Sequence, residues 1–519
     1  MSRLLDHVND MIARLVDGLA DPAQRRRAAF VFAAGYALLW FIYGVIAKSS
    51  QDLNAGMAEM VVWTRELALG YPKHPPLLAW ILWGWFKIFP LADWAYILLS
   101  VVTLGAGIWL AIELAAEWLE REKLAAVPFL LAVIPFYNFL GLKWDQNSVL
   151  IPLWALAMWA MMRALATRHV GWAALAGIAA AAAMLTKYWS VFLLAALAFT
   201  ALADRRRAAY FGSAAPWVTA GVFIAAVAPH AWWLVRENFP PITWVTSRRF
   251  ALSTFDLFRS FGDYAGGTAA YAGAALLLVL LFIRPSRAAI ADSWFPRDDR
   301  RGAAILFWTP LLLPFVPALI KGISLLSLWN TCALNLLPVM ALASPRVTAP
   351  RVAVQRIAVA VTALTLLIVA AALVVGFVIL KKGVENDAAY ARLVMQAAER
   401  EWRAVTDKPL TLIAGPFVLV STAAFYGTDR PSTYADFSKY LSPWTDDARI
   451  AREGVAVMVA PDSPYLHMTE QFLGTVPVAR RTEVTLVRRW LGFESPPRKF
   501  VIAIVPPNIL SPNILSPKP

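Results

Sequence analysis

Two acidic residues, Asp52 and Glu59, follow the first long apolar segment of the chain and precede a tryptophan-rich apolar run. They stand at positions i and i+7, so in a helix they would share one face. A carboxylate placed there could act as a general base toward a hydroxyl or amine acceptor, or help to hold a divalent metal ion. The alternative for Asp52 is a solvated loop carboxylate or a helix N-cap.

A second polar group follows in the segment Tyr71-Pro72-Lys73-His74-Pro75-Pro76. Its double proline excludes helix and predicts an extended turn. Lys73, with His74 beside it, would then face lipid phosphates and could pair a phosphate or pyrophosphate as a point charge. The alternative is a lysine that only anchors the following apolar helix at the membrane surface.

The turn Lys143-Trp144-Asp145-Gln146-Asn147 is a dense polar group between two apolar runs. Asp145 offers a further carboxylate, which could act with Asp52 in catalysis or on a metal ion. Lys143 and Asn147 offer polar contacts. The alternative is helix capping, which Asp and Asn both favour.

Lys187 and Tyr188 lie where one apolar run ends and the next begins, with almost no loop between them. A lysine held there requires a partner, either Asp145 or a lipid phosphate. Arg248 and Arg249 lie in a loop predicted over 237–265. That loop could line a substrate entrance or form a solvated basic surface.

The composition indicates which class of protein positions these residues. The chain has 519 residues, of which 59% are hydrophobic and 16% charged, whereas soluble domains have about 25% charged residues. Repeated apolar runs of about 20 residues then predict a polytopic membrane protein. The net charge of +14 comes from basic clusters between these runs, which indicates a positive-inside bias and argues against nucleic-acid binding. The five scattered histidines and the single cysteine argue against a histidine-rich metal site and exclude an internal disulfide.

The order of apolar and basic segments predicts the membrane topology. Residues 1–27 form an amphipathic helix and its basic end on the cytoplasmic surface, and 28–381 form a transmembrane domain of about eleven helices. Residues 49–92 are the first outer loop, in which Leu77–Phe89 is too short to span and is rich in tryptophan, so we predict an interfacial helix. The predicted spans are 28–48, 93–115, 124–140, 149–166, 171–186, 188–203, 212–235, 266–283, 302–319, 328–344 and 354–380.

The composition changes after Lys382 and predicts a small α/β domain over 382–505 on the outer face. Residues 383–404 have the pattern of an amphipathic helix, and four segments have the pattern of strands. The predicted strands are 410–413, 455–459, 483–488 and 500–505. Residues 506–519 form a short Pro-rich repeat that we predict to be a disordered tail.

The segment Trp63–Leu77, with its Gly-Tyr…His-Pro-Pro-Leu motif, resembles the first outer loop of membrane glycosyltransferases of the C-type fold. The nearest branch is family 39, the dolichyl-phosphate-mannose–protein mannosyltransferase-like group. Its bacterial members include the aminoarabinose and rhizobial galacturonosyltransferases of lipid A and lipopolysaccharide. The segments Lys143–Asn147, Leu185–Tyr188 and Ala424–Tyr426 to Ser442–Trp444 share the resemblance, which covers most of the chain.

This resemblance implies a polyprenyl-phosphate sugar donor, an inverting transfer on the periplasmic side of a bacterial inner membrane, and an acid in the first outer loop. In many relatives that acid stands seven residues before the tryptophan that matches Trp63, and the position here is Gly56. Asp52 and Glu59 lie about one helical turn on either side of it. Asp52, supported by Glu59, is therefore the expected acid, and Gly56 leaves open an altered or inactive site.

The first hypothesis is a transferase that moves a sugar from a polyprenyl phosphate to lipid A, lipopolysaccharide, another envelope glycan or a protein. Lys73, Lys187 and Arg248 would stabilise the leaving phosphate, and the membrane helices would hold the polyprenyl chain. The alternatives are a lipid transporter or flippase, and a protein that binds the lipid-linked sugar without transferring it. Transporters place polar groups near mid-membrane, whereas here these groups gather at one predicted face.

Overall fold

The apolar runs of the sequence form helices, and the fold is that of an α-helical polytopic membrane protein. The computed structural model describes residues 2–249, 253–382 and 387–507, and the side chains of 2–5 and 245–249 fall outside the description. Within these ranges, seven helices are long and apolar enough to cross a membrane. They are Arg25–Lys48, Asp93–Ala115, Gln146–Thr167, Ala215–Arg236, Thr254–Ile283, Arg301–Lys321 and Arg351–Ala370.

The predicted count of about eleven spans stays a prediction. Three of the predicted spans correspond to apolar helices that are shorter than the seven long ones. These helices are Val170–Thr186, Tyr188–Ala203 and Ser327–Leu342. A fourth, 124–140, is α-helical only as far as Ala132 and continues as a short 3-10 turn. Pro135 begins that turn because its ring cannot continue the helix.

The elements follow one another in a long helical series that ends in a mixed sheet. The helices are α1 Ser2–Ala20, α2 Arg25–Lys48, α3 Ala55–Trp63, α4 Leu77–Ile88, α5 Asp93–Ala115, α6 Arg121–Ala132, α7 Gln146–Thr167, α8 Val170–Thr186, α9 Val191–Ala203, α10 Arg207–Phe211, α11 Ala215–Arg236, α12 Pro240–Arg249, α13 Thr254–Leu278, α14 Arg287–Trp294, α15 Arg301–Leu312, α16 Phe315–Lys321, α17 Leu337–Leu342, α18 Arg351–Ala370, α19 Ala372–Lys382, α20 Ala391–Arg403, α21 Phe417–Tyr426, α22 Asp447–Glu453 and α23 Leu466–Leu473. The strands are β1 Leu412–Gly415, β2 Ser432–Ala435, β3 Val455–Val459, β4 Arg480–Leu486, β5 Arg489–Trp490, β6 Phe493–Glu494 and β7 Arg498–Val505.

The chain divides into two compact units. The first consists of Met1–Phe41, Leu69–Leu77 and Ile97–Val369, and the second of Ile42–Ala68, Leu78–Tyr96 and Ala370–Pro519. The second unit thus contains more than the predicted domain 382–505, because it also includes most of the predicted first outer loop.

In the first unit, small residues on α8 allow its neighbour α11 to pack closely. A Cβ added at Gly177 would lie 2.6 Å from the backbone oxygen of Thr219. The Thr219 hydroxyl donates a hydrogen bond of 3.0 Å to the backbone oxygen of Ala173. Alanine and glycine let two helix backbones approach in an apolar environment, where van der Waals contact and interhelical hydrogen bonds hold them together.

The second unit contains a five-stranded sheet in the order β2-β1-β3-β7-β4. Strands β2, β1 and β3 are parallel, whereas β7 runs antiparallel to both β3 and β4. Every residue of β1, β2 and β3 is buried. Such continuous burial is typical of parallel strands that are covered on both faces. The predicted α/β domain is therefore present.

The structure refines the local predictions. Strand β3 has the predicted bounds 455–459, and β1, β4 and β7 lie within a few residues of prediction. Strand β2 was not predicted, because its short Ser-Thr-Tyr-Ala sequence lacks an apolar run. The predicted loop 237–265 is wrong, since α12 and α13 occupy most of it. Residues 383–386 and the tail from 508 lie outside the described residues.

Candidate functional site

Asp52 lies in the second unit, on an extended segment between α2 and α3. The side chain of Asn54 accepts a hydrogen bond from the Gly56 N–H and caps α3, so the helix begins only at Ala55. Asp52 and Glu59 would share one face only within a helix, and Asp52 lies outside α3. Glu59 is half-buried on α3, and Asp52 belongs to the segment that precedes it.

Asp52 belongs to a carboxylate cluster that consists of Asp52, Asp93, Arg392 and Tyr426. Its Oδ2 accepts a hydrogen bond of 2.8 Å from the Arg392 backbone N–H, and its Oδ1 lies 3.4 Å from the Arg392 Nε. The same guanidinium pairs with Asp93 and lies 4.3 Å from the ring centroid of Tyr426. One arginine thus joins two carboxylates of distant sequence segments.

Tyr426 completes the hydrogen-bond network of the carboxylate cluster. Its hydroxyl donates to Asp93 Oδ1 at 2.6 Å and accepts from the Leu53 N–H at 2.8 Å. Because Leu53 directly follows Asp52, the tyrosine also fixes the backbone beside that carboxyl. Burial and the nearby Asp93 charge hold the pKa of the Tyr426 hydroxyl well above its usual range, so it stays a donor.

Burial dominates the acidity of Asp52, whose side chain is 11% exposed. The pKa of Asp52 is raised from 3.8 to about 7, mainly by removal from water and also by the charge of Asp93, against the opposing N–H and charge of Arg392. A carboxyl with a pKa near neutrality can accept a proton from a substrate and release it again at the same pH. The cluster therefore suits Asp52 to general-base chemistry.

Asp52 also has a structural role. The side chain of Tyr390, the N-cap residue of α20, makes no capping hydrogen bond. Asp52 instead accepts from the Arg392 N–H in the first turn of that helix. A carboxylate at a helix N-terminus satisfies an unpaired N–H group and interacts favourably with the helix dipole. Any test of catalysis must therefore preserve this hydrogen bond.

In the first unit, the predicted motif around Tyr71 and His74 forms a turn in which the Tyr71 N–H donates to the His74 carbonyl. A Cβ at Gly70 would lie 2.3 Å from two ring atoms of Trp233, so only glycine fits there. The ring of His230 in α11 also holds this segment, because its Nδ1 donates to the Leu69 carbonyl at 2.6 Å. Since a carbonyl only accepts, this bond fixes the proton on Nδ1 in the neutral ring.

The tautomer of His230 determines how Tyr188 binds. With its proton on Nδ1, the neutral ring accepts at Nε2, and the Tyr188 hydroxyl donates to it at 2.8 Å. The two rings are stacked at 5.8 Å. Tyr188 was predicted as a site residue from its place between two apolar runs, and the structure shows that it helps to hold the Leu69–Leu77 segment through His230.

A lysine cluster lies in the first unit and consists of Lys187, Lys73, His74 and Asn147. The Lys187 ammonium donates to Asn147 Oδ1 at 2.7 Å and lies 5.1 Å from the ring centroid of Trp329. Lys73 lies at the same distance from the ring of Trp244. Burial, followed by the charges of Lys187 and Lys73, lowers the pKa of His74 to about 3, so its ring is neutral.

Asp145 acts as the N-cap of α7, as the capping alternative predicts. Its Oδ1 accepts from the backbone N–H groups of Asn147 at 2.9 Å and Ser148 at 3.2 Å. This capping box fixes the first turn of α7 and thereby positions Asn147 for its bond to Lys187. Lys143 lies 4.0 Å from Asp145 and is half exposed.

The remaining predicted site residues are two arginines of α12. Arg248 and Arg249 end α12, and their side chains lie outside the described residues. Among the described residues, no group of three His, Cys, Asp or Glu side chains is placed to hold a metal ion.

The sequence did not single out Asp93 and Arg392 as site residues. Asp93 stands at the start of an apolar helix and Arg392 on an amphipathic one, where charged residues are common. Tyr426 lies in the segment Ala424–Tyr426, which was noted for its resemblance but not for its chemistry. Only the contacts among these residues identify them as a group.

Comparison with protein families matches one segment of the chain. Residues 73–233 match the family described as dolichyl-phosphate-mannose-protein mannosyltransferase. This segment lies mainly in the first unit and includes Leu78–Tyr96 of the second. It contains the four residues of the lysine cluster and Asp93 of the carboxylate cluster, but not Asp52. The match supports a membrane glycosyltransferase. Comparison with curated proteins finds no match to this chain.

One similar solved structure is the archaeal oligosaccharyltransferase AglB from Archaeoglobus fulgidus, in complex with an inhibitory peptide and a dolichol-phosphate. The two chains are 11% identical, with a TM-score of 0.33. The similarity covers 78% of this chain and 64% of the AglB chain, so this chain spans less than two thirds of AglB.

Proposed function

We propose that this protein is a membrane glycosyltransferase that transfers a sugar from a polyprenyl-phosphate donor to a hydroxyl or amine acceptor. The observation on which the proposal rests is the family match over residues 73–233. That segment contains Lys73, His74, Asn147 and Lys187, which form a cationic cluster suited to a lipid phosphate. The family description names a lipid-phosphate sugar as donor, and the cluster supplies the chemistry to bind one.

The lysine cluster would bind the donor phosphate. As the bond between the sugar C1 and the phosphate oxygen breaks, negative charge grows on the phosphate, and Lys187 and Lys73 would stabilise it. His74, which is neutral because its pKa is about 3, adds a polar group without a further positive charge. Asn147 would keep the Lys187 ammonium oriented through its bond of 2.7 Å.

The catalytic role of Asp52 rests on the sequence resemblance, which implies an acid in the first outer loop near the acceptor. The ionised Asp52 would take the proton of the acceptor hydroxyl or amine while the acceptor atom forms its bond to C1. The electron pair of the broken C1–O bond leaves with the polyprenyl phosphate, so the step inverts the configuration at C1. The pKa of about 7 suits Asp52 to this role, and Glu59 is the supporting acid.

The finer assignments of the sequence resemblance belong to the same proposal. They are the C-type fold, the family 39 branch, a bacterial inner membrane with a cytoplasmic N-terminus and a periplasmic C-terminal domain, and an acceptor such as lipid A, lipopolysaccharide, another envelope glycan or a protein. The seven long apolar helices are consistent with a multi-pass protein that admits a polyprenyl chain between its helices.

The first experiment compares envelope lipids from cells with and without the protein by mass spectrometry. Transfer predicts that a polyprenyl-phosphate sugar accumulates without the protein while one glycan is lost from an acceptor. If neither pool changes, the transferase proposal fails for those cells, and a binding protein or a lipid transporter becomes the better account.

The second experiment uses Asp52→Asn, because the amide oxygen can still accept the Arg392 N–H bond. We expect at least a hundredfold loss of transfer, in line with general-base catalysis, with donor binding unchanged. In the wild type, kcat/KM should rise with pH through about 7 as Asp52 ionises. Full activity in both Asp52→Asn and Glu59→Gln would show that neither acid is the base.

A further inference from the structure

An apolar cavity of about 720 Å³ lies in the first unit between α1, α2 and α18. Its walls include Leu15 of α1, Phe32 of α2, Phe129 of α6 and Val361 of α18. A volume of this size lies within the range of about 300–1,000 Å³ of pockets that hold drug-sized ligands. The cavity does not contain any residue of the carboxylate or lysine clusters.

The sequence of α1 and α2 explains why the cavity exists. Helix α1 is amphipathic, and its residues Val16 and Leu19 are buried. At Gly18 the two helices approach so closely that an added Cβ would lie 3.1 Å from the Cβ of Ala28. Further along α2, Gly35 lines the cavity, and a Cβ added there would meet nothing within 4 Å. Gly18 thus permits close contact between α1 and α2, and Gly35 leaves space in the cavity.

Two buried hydroxyl groups of the apolar wall already have hydrogen-bond partners within the protein. The Tyr36 hydroxyl donates to the Ala132 carbonyl at 3.0 Å, and the Thr365 hydroxyl donates to the Val361 carbonyl at 2.9 Å. The interior of the cavity therefore suits a hydrocarbon chain better than a polar ligand.

The charged residues that line the cavity are Arg14 and Arg27. Both are exposed, and neither has an ion pair among the described residues. Of the acids on α1 and its following turn, Asp17 pairs with Arg351 at 2.5 Å and Asp21 accepts from Gln24 at 2.9 Å. Asp10 lies one helical turn before Arg14 and is exposed. The cavity thus combines an apolar interior with two positive charges.

We propose that this cavity binds one anionic glycerophospholipid, with an acyl chain in the apolar space and the headgroup phosphate at Arg14 and Arg27. Arginine suits this role because its planar guanidinium binds phosphate through two parallel hydrogen bonds. The arginines also lie on the side predicted to be cytoplasmic, where anionic lipids concentrate. This lipid site is separate from the sugar donor and does not depend on the proposed function.

The test uses the full-length protein in detergent, titrated with phosphatidylglycerol, phosphatidylethanolamine or undecaprenyl phosphate and followed by native mass spectrometry. We expect one phosphatidylglycerol to bind in preference to phosphatidylethanolamine. Equal binding of these two lipids would overturn the proposal, because it requires an anionic headgroup. Displacement of phosphatidylglycerol by undecaprenyl phosphate at equal concentration would overturn it as well, since the occupant would then be a polyprenyl lipid.

Two variants locate the site. Arg14→Gln with Arg27→Gln should weaken phosphatidylglycerol binding about 25-fold, at about fivefold for each arginine beside an anionic headgroup, and leave phosphatidylethanolamine binding unchanged. The matched control is Arg287→Gln, an exposed arginine on α14. If the double variant binds phosphatidylglycerol as the wild type does, the headgroup is not at these arginines and the proposal fails.

Gly35→Phe should fill the apolar space and abolish binding of the lipid, because the new ring enters the cavity without a backbone clash. The control is Gly221→Phe on α11, where an added Cβ also meets nothing within 4 Å. Size-exclusion profiles and thermal unfolding of both variants confirm that they fold. Wild-type lipid binding in a folded Gly35→Phe protein would contradict the proposed cavity.

Discussion

Asp52→Asn should make the stability of the folded protein less sensitive to rising pH, although it removes an ion-pair partner of Arg392. The pKa of Asp52 is raised from 3.8 to about 7 mainly by burial. Between these values the folded state holds a proton that the unfolded state has lost, so the free energy of unfolding falls as pH rises. Titration of Asp52 therefore lowers the stability of the wild type between acid and neutral pH. The Asp52→Asn variant lacks this effect because asparagine does not titrate.

The two pKa values set the magnitude of the effect. Relative to strongly acidic pH, titration of Asp52 should lower the free energy of unfolding by roughly 2 kcal/mol at pH 5 and roughly 4 kcal/mol at pH 8. The stability difference between variant and wild type should therefore change by roughly 2–3 kcal/mol between these pH values. An asparagine also places an amide NH₂ near Arg392, but this cost does not depend on pH and cancels in the comparison.

The assay is thermal unfolding of the purified full-length proteins in one detergent at pH 5 and pH 8. The variant should gain on the wild type as pH rises, whereas Asp407→Asn, at an exposed position, should show the same difference at both pH values. A difference between Asp52→Asn and wild type that is independent of pH would refute the argument that burial raises this pKa. If the variant lost more stability relative to the wild type at pH 8 than at pH 5, folding would lower the pKa of Asp52 and not raise it.

Two other substitutions test the first unit. Gly70→Ala should lower the free energy of unfolding by about 1–3 kcal/mol, because its Cβ would overlap Trp233, while Gly221→Ala should change the melting temperature little. No loss in Gly70→Ala would show that the segment moves away at little cost. Lys187→Gln should weaken binding of a polyprenyl-phosphate donor at least tenfold, as expected for about 1.5 kcal/mol from a charged hydrogen bond, and Lys408→Gln should not. Equal donor affinity in both lysine variants would remove Lys187 from the phosphate site.

Several features followed from local sequence patterns. The apolar runs predicted a helical membrane protein, and the composition change after Lys382 predicted an α/β domain, because both depend on residues that are close in the chain. The amphipathic pattern of residues 1–20 predicted helix α1 almost to its bounds. The capping alternative for Asp145 came from residue type and position alone, and the contacts with Asn147 and Ser148 show that role.

Other features depended on contacts that no local pattern contains. Asp52 and Glu59 do not share one helical face, because Asn54 caps α3 and the helix begins after Asp52. The predicted loop 237–265 was wrong because polar residues there lie on helices.

The sequence alone thus determined the class of the protein and its apolar helices, and it proposed candidate residues for phosphate and proton chemistry. The tertiary structure decided which of these residues lie together. Asp52 and Asp93 lie far from Arg392 in the chain, yet both carboxylates meet its guanidinium, and burial there raises the pKa of Asp52. A pKa depends on the water, charges and hydrogen bonds around a group, and folding brings these together from segments that are distant in sequence.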